Sequence, residues 1–145
     1  MIELEFTEGA LIEHSAAVSK AVKSLKELGV ATALDDFGTG YSSLSYLRHF
    51  PIDTLKIDRV FVRDIASKNS GNAPLVDAII AMAKSLGLAT VAEGVETEGQ
   101  WQYLKTRDAN QVQGFLFCRP LAIADLESWH TGWLHANQSI AASVA

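Results

Sequence analysis

Short apolar runs alternate along this chain with longer segments whose apolar residues recur at helical spacing. The short runs predict strands, and the segments between them predict helices; the first of these helices carries Val18, Val22 and Leu25 on one face and ends at Gly29. The predicted strands are 2–6, 30–36, 54–57, 88–92 and 112–117. Five β–α units in series predict an α/β fold with a parallel sheet and helical crossovers.

Several helix ends carry recognisable signals. A short helix is expected around 44–49, and a longer one begins near Pro74 and stops at Gly87. Thr97 and Gln100 have the spacing of a capping box, which predicts another helix start. A last helix follows through Trp129 and Trp133, and we expect residues 137–145, which are small and polar, to form a flexible tail.

Composition narrows the possible functions. The chain has 12 Lys+Arg against 17 Asp+Glu, a net charge of −5, which argues against binding a DNA or RNA polymer through its phosphates. A single cysteine, Cys118, excludes an internal disulfide and suggests a reducing compartment. Without a signal peptide or an apolar run long enough for a membrane span, we expect a cytoplasmic chain that does not insert into membranes.

Acidic residues collect where the predicted strands end. Asp35 and Asp36 close the second strand, and Glu5 and Glu93 hold similar positions on the first and fourth. A single aspartate there is as readily a cap for the following turn. Carboxylates that converge repel one another, however, and a hard divalent cation such as Mg²⁺ or Mn²⁺ would relieve that repulsion. The four histidines have no metal-ligand spacing, so zinc is disfavoured.

Lys56 is the only cation expected at a strand end. One interpretation is a lysine that reaches out to water; the other is a group that steadies developing charge on a phosphate or orients an attacking water. The glycine-rich segment 38–43 is half of a dinucleotide-binding pattern and lacks its third glycine. The residues by themselves therefore indicate metal-assisted phosphate or carbonyl chemistry on part of a barrel.

The stretch Asp35-Asp-Phe-Gly-Thr-Gly-Tyr-Ser-Ser-Leu44 resembles the metal-loop motif of EAL domains, the phosphodiesterases specific for cyclic-di-GMP. Further blocks match in order over residues 2–129: Glu3-Leu-Glu-Phe-Thr-Glu8, Leu55-Lys-Ile-Asp58, Ala92-Glu-Gly-Val-Glu96, and Gln113-Gly-Phe-Leu-Phe117 followed by Arg119-Pro120-Leu121. The resemblance implies a (β/α)8 barrel, of which this chain would hold about five parallel β–α units.

The resemblance also assigns roles to individual positions. Glu5, Asp35, Asp36 and Glu93 resemble ligands of Mg²⁺ or Mn²⁺, and Lys56 the lysine that contacts the attacking water or the scissile phosphate. Gln113 resembles a glutamine that orders water, and Glu96 a group that supports the metal site. Glu8 resembles the acid that holds the loop containing Gly38, Thr39 and Gly40, and links metal binding to dimerisation. The implied reaction opens cyclic-di-GMP to linear pGpG.

The chain departs from the family pattern in length, because an EAL barrel has roughly 250 residues. The segment with the Glu-x-Leu motif and the strand with a metal-binding asparagine have no counterpart in the sequence. We therefore expect residues 1–136 to be a truncated EAL domain with impaired activity when isolated. The alternative is an inactive remnant that binds a nucleotide or a protein. The unpaired edges of a partial barrel also predict a homodimer.

Overall fold

The computed structural model describes residues 2–13, 15–39, 47, 50–67 and 70–141, apart from the side chains of 11–17 and 135–141. The strands are β1 (Glu3–Thr7), β2 (Ala31–Phe37), β3 (Thr54–Ile57), β4 (Ala89–Ala92) and β5 (Gln111–Val112). The helices in these ranges are α1 (Glu8–Glu13), α2 (Ser15–Glu27), α3 (Arg59–Val62), α4 (Ala73–Leu86), α5 (Glu98–Lys105) and α6 (Ile123–Ala141). None of the described helices is both long and apolar enough to cross a membrane.

The five strands form one sheet in the order β1-β2-β3-β4-β5, and every neighbouring pair is parallel. Helices link β1 to β2, β3 to β4 and β4 to β5, so the predicted α/β fold is confirmed. The register places Leu55 opposite Leu34 on one side and Thr90 on the other, and Lys56 opposite Val91. Because side chains alternate between faces, Leu55 and Lys56 point to opposite sides of the sheet.

The apolar core lies on the face that carries Leu55. Leu34, Leu55 and Ile57 pack there against buried residues of α4, including Val76 and Ile79. The opposite face carries Glu5, Asp35 and Lys56, which alternate with the core residues along β1, β2 and β3. The sheet therefore has one apolar face towards its helices and one polar face, and the candidate chemistry lies on the polar face.

The predicted fifth strand was placed wrongly. Only Gln111–Val112 pair with β4, and the residues after Gln113 turn away from the ladder. Gly114 approaches the backbone of Val95 so closely that a Cβ on it would lie 2.1 Å from the Val95 carbonyl oxygen. The Leu116 N–H then donates to that same oxygen at 3.0 Å, which bends the chain into a turn instead of a strand.

The helix signals read from the sequence are confirmed. Gly87 caps α4 in the left-handed conformation with φ 71°, and Pro74 lies in the first turn of the same helix. Thr97 and Gln100 form the capping box of α5.

Helix α6 reaches Ala141, so residues 137–141, expected in the flexible tail, are helical. Of the short helix expected at 44–49, only the buried helical Leu47 is among the described residues.

Candidate active site

Lys56 lies at the centre of the polar face, surrounded by carboxylates from three other strands. Its Nζ atom is 2.8 Å from Glu5 Oε1, 3.1 Å from Asp35 Oδ1 and 2.8 Å from Glu93 Oε1. The Lys56 side chain is only 8% exposed, whereas those of Glu5, Asp35 and Glu93 are 48%, 23% and 21% exposed. Because β1 to β4 are parallel neighbours in register, residues far apart in sequence meet at this one point.

This geometry makes Lys56 the counter-cation of the cluster. Burial by itself lowers the pKa of a lysine, but hydrogen bonds to Glu5, Glu93 and Asp35 outweigh it and raise the pKa of Lys56 above its ordinary range. Lys56 is thus held as an ammonium, and the interpretation of a lysine that merely reaches out to water is wrong. Within the described ranges, no three His, Cys, Asp or Glu side chains are spaced to hold a metal ion.

Asp36 makes no ion pair with Lys56 in the described contacts, although it follows Asp35 directly. Its backbone has φ 56°, a left-handed conformation that is costly for a residue other than glycine. The side chain lies beside the carboxyl of Asp58, the residue that follows β3. Burial first, and then the charges of Asp35 and Asp58, raise the pKa of Asp36 above its ordinary range. Two groups of acids therefore lie at the strand ends: three carboxylates around Lys56, and the pair Asp36 and Asp58.

A groove of about 440 Å³ opens beside these groups at the carboxyl ends of the strands. Its wall on the β3 side contains Asp58 and Arg59, and its wall on the β4 and β5 side contains Glu93, Glu96 and Gln113. The remaining lining residues are Asp36, Gly94, Gly114 and Phe115. Four carboxylates and a single arginine thus line the groove, so an anionic ligand would be repelled unless cations accompany it.

Of the nine described residues that line the groove, sequence reasoning predicted four as site residues: Asp36, Glu93, Glu96 and Gln113. Asp58 and Arg59 were not proposed as site residues, although Asp58 follows β3 in the way that Glu93 follows β4. That shared position directly after a parallel strand is the signal that identifies Asp58. Phe115 was also missed; it is 50% exposed at the groove, and the Arg119 guanidinium lies 4.7 Å from its ring centre.

Of the residues predicted to form or hold the loop after β2, Glu8, Gly38 and Thr39 are among the described residues. Glu8 begins α1 directly after β1, and its Oε1 atom is buried. Gly38 has φ 93° and approaches the ring of Phe61, where a Cβ would come within 3.1 Å of a ring carbon. The Thr39 hydroxyl donates to the Asp36 carbonyl at 2.8 Å, which steadies the turn that carries Asp36. Gly40 lies outside the described residues.

Backbone hydrogen bonds hold the two loops that carry Glu93, Glu96 and Gln113. The Glu93 N–H donates to the Ile57 carbonyl at 3.0 Å, and the Gln113 N–H donates to the Ala92 carbonyl at 2.8 Å. The Gln113 carbonyl accepts in turn from the Val95 N–H at 3.0 Å. These bonds extend the pairing of the sheet past the last strand residues, so the polar side chains stand on well-anchored backbone.

A family model described as EAL domain matches residues 1–120, most of the chain. The chain belongs to the EAL domain family. That membership confirms the resemblance found in the sequence motifs. The match includes β1 to β5 and the groove, with every predicted site residue.

Individual EAL proteins show the same likeness. The cyclic di-GMP phosphodiesterase NbdA of Pseudomonas aeruginosa is 48% identical over 128 residues, which are 88% of this chain and 16% of that protein. The structure of the PaMucR phosphodiesterase in complex with c-di-GMP superposes with a TM-score of 0.80 at 44% identity, over 86% of this chain and 50% of that one. The Klebsiella pneumoniae BlrP1 manganese/cy-diGMP complex gives 0.73 at 40% identity, over 81% and 30%.

These matches cover most of this chain but only part of each relative. The chain spans about a sixth of NbdA and half of the PaMucR chain, while most of its own length is matched. At 40–48% identity the likeness extends beyond the fold to the sequence.

Proposed function

We propose that this chain carries part of the active site of a metal-dependent phosphodiesterase that hydrolyses cyclic-di-GMP to linear pGpG. The single observation that supports this most strongly is the set of three carboxylates around Lys56, placed beside a groove at the carboxyl ends of parallel strands. This is the edge at which α/β barrels bind and transform substrates. The EAL relatives named as cyclic-di-GMP phosphodiesterases support the same substrate.

The donor chemistry of the polar face suits Mg²⁺ or Mn²⁺. Glu5, Asp35, Asp36 and Glu93 offer carboxylate oxygens only, which hard divalent cations prefer. In this proposal these four residues hold the metal, and the acidic groove needs it, because a cyclic dinucleotide brings two phosphate charges of its own. When bound, a divalent metal supplies polarisation of a phosphoryl oxygen and a lowered pKa for a coordinated water.

The protein side chains have their own tasks in the proposed reaction. Lys56, already an ammonium in the structure, turns from the carboxylates to the scissile phosphate and stabilises charge that develops there. Gln113 lies at the groove and orients water with its amide, while Glu96 on the same wall keeps the lining polar. Glu8 and the Gly38–Thr39 turn hold the backbone of Asp36.

Hydrolysis of cyclic-di-GMP tests the proposal directly. The chain is incubated with cyclic-di-GMP and Mn²⁺, and pGpG is measured by chromatography with and without EDTA. We expect slow product formation, since the isolated chain is expected to have impaired activity; EDTA should abolish it, and Asp35→Asn should reduce it by at least about a hundredfold, the scale of losing a group that positions the reacting atoms. Asp125→Asn, at an exposed position of α6, is the matched control and should leave the rate unchanged. Product that survives EDTA would contradict a metal-dependent reaction.

A second function is favoured by the Lys56 cluster itself. The Lys56 ammonium already pairs with three carboxylates there and holds them together, which suits a module that binds cyclic-di-GMP together with cations and does not cleave it. Calorimetric titration with cyclic-di-GMP separates the two functions. Binding with no pGpG after prolonged incubation supports the binding module, whereas turnover supports the enzyme.

We further propose that two copies associate and that the chain works in the cytoplasm. The outer strand β1 leaves Ile2 and Leu4 68% and 39% exposed, and the face of α6 leaves Ile123 and Trp133 90% and 40% exposed. Apolar surface of this kind favours a protein interface. Light scattering at micromolar concentration should give the mass of a dimer, and Leu4→Glu should give a monomer. A monomeric wild-type chain would reject the association.

A further inference from the structure

Gln100 is a buried polar residue that makes more contacts than its place in the capping box of α5 requires. Its side chain is almost fully enclosed, and its residue is 5% exposed. The Oε1 atom accepts from the Thr97 N–H at 2.9 Å, as a capping box needs, and also from the Glu96 N–H at 2.7 Å. The Nε2 atom donates to the Arg63 carbonyl at 2.8 Å, on a different element.

These contacts join the two walls of the groove. Glu96 belongs to the wall after β4, which also contains Glu93 and Gly94. Arg63 is the C-terminal cap of α3, the short helix whose first residues, with Asp58, form the wall after β3. One side chain, which is not itself among the lining residues, thus bonds the backbone of both walls.

The walls meet directly at only one described glycine, and that contact is tight. A Cβ on Gly94 would lie 2.5 Å from Arg59 Cβ, so the two backbones approach as closely as a glycine allows. Contact at Gly94 prevents the walls from moving together, and the Gln100 bridge to Arg63 prevents them from moving apart. The pairing of β3 with β4 and the bond from the Glu93 N–H to the Ile57 carbonyl hold the walls at the strand ends, and the contacts of Gly94 and Gln100 hold them beyond that point, between Glu96 and α3.

We propose that Gln100 is a positioning residue that fixes the spacing of the two groove walls beyond the strand ends, and through it the place of Glu96 relative to α3. Its influence on ligand binding rests on the proposed function, whereas its influence on the walls does not. Buried amides that bridge two backbones are well suited to this task, because an unpaired carbonyl or N–H in a buried site is costly.

The substitution Gln100→Glu separates the bridge from the cap. A carboxylate still accepts from the Glu96 and Thr97 N–H groups and suits a helix N-terminus, so α5 keeps its start. It cannot donate to the Arg63 carbonyl at neutral pH, so only the link between the walls is lost. Gln100→Met, which removes all three contacts without adding a charge, serves as the second variant should burial of the new carboxylate prevent folding. Gln102→Glu is the matched control, since Gln102 lies on the same helix, is exposed and bonds only Glu98 in the described contacts.

Amide hydrogen exchange on the full chain tests the bridge without any ligand. In Gln100→Glu we expect at least about tenfold faster exchange at Phe61 and Arg63, whose N–H groups bond to Asp58 and Arg59, because the far wall loses its anchor. Exchange at Trp101, within α5, should match the wild type. Unchanged exchange at Phe61 and Arg63, with the loss confined to Glu96 and Thr97, would overturn the proposal.

Binding of Mn²⁺, followed by electron paramagnetic resonance below the unfolding transition, tests the consequence for the site. We expect Gln100→Glu to weaken Mn²⁺ binding about tenfold, the scale of losing a group that supports metal ligands, with Gln102→Glu unchanged. Equal affinity in Gln100→Glu and wild type would also overturn the positioning role. If the wild-type chain binds no Mn²⁺, the proposed function fails instead, and the exchange experiment alone decides the role of Gln100.

Discussion

Replacing Lys56 by methionine removes the one charge that lets Glu5, Asp35 and Glu93 lie together. Methionine keeps most of the aliphatic stem, so the packing within the sheet changes little and the loss is electrostatic. The three carboxylates would then repel one another across a space that is closed to water on the lysine side. We expect Lys56→Met to be clearly destabilised at pH 7.

The size of the expected loss in unfolding free energy follows from how deeply Lys56 and its partners are buried. Removing one partner of a fully buried ion pair costs about 3–5 kcal/mol, and Lys56 at 8% exposure meets that condition. Its partners do not, because Glu5 is about half exposed and the other two about a fifth, so water and side-chain movement relieve part of the repulsion. We therefore expect a loss of unfolding free energy at or somewhat below the lower end of that range, about 2–3 kcal/mol. This is equivalent to a fall in Tm of about 5–10 °C for a chain of this size.

Urea unfolding followed by circular dichroism measures this loss. Lys84→Met is the control, because Lys84 pairs with Asp108 at 2.7 Å on the surface with both side chains more than 60% exposed, and such pairs contribute about 0–1 kcal/mol. A divalent metal gives a second readout: Mn²⁺ should stabilise Lys56→Met more than wild type, since the ammonium no longer competes for the carboxylates. A loss no larger than that of Lys84→Met would refute the account of Lys56 as the counter-cation.

Two further predictions concern stability away from Lys56. Burial opposes ionisation of Asp53, but bonds from Lys26 and Thr32 outweigh it and lower the pKa of Asp53. The stabilisation that ionised Asp53 gives the fold is therefore present above the ordinary carboxyl pKa of 3.8 and disappears as the pH falls through the lower pKa of the folded chain. The difference in unfolding midpoint between wild type and Asp53→Asn should accordingly be largest near neutral pH and vanish in acid; a difference independent of pH would contradict it. Gly114→Ala should lower the free energy of unfolding by about 3 kcal/mol or more, because the new Cβ meets the Val95 backbone, which cannot move aside. Gly132→Ala on the open surface of α6 is the control and should be neutral or stabilising. Equal unfolding midpoints for the two variants would show that the 113–117 turn adapts freely.

Helix ends and strands were predictable wherever residues close together in sequence determine them. Pro74 and Gly87 mark the ends of α4 because a fixed φ suits a first turn and a left-handed φ suits a cap. The apolar runs around Leu34 and Leu55 predicted strands for the same kind of reason. The end of the sheet was less predictable: the apolar residues 115–117 resemble a strand, but contact between Gly114 and Val95, nineteen positions earlier in the chain, turns them aside.

The sequence by itself determined the parallel α/β fold, the EAL motifs and the residues at the strand ends, since each depends on spacing along the chain. The tertiary structure alone decided which of those residues meet. Asp35 and Asp36 are adjacent in sequence, yet Asp35 contacts Lys56 whereas Asp36, with its left-handed backbone, lies beside Asp58. The bridge from Gln100 to Arg63 likewise joins residues 37 positions apart. Such contacts depend on strand register and on the approach of separate loops, and neither leaves a periodic signal in the sequence.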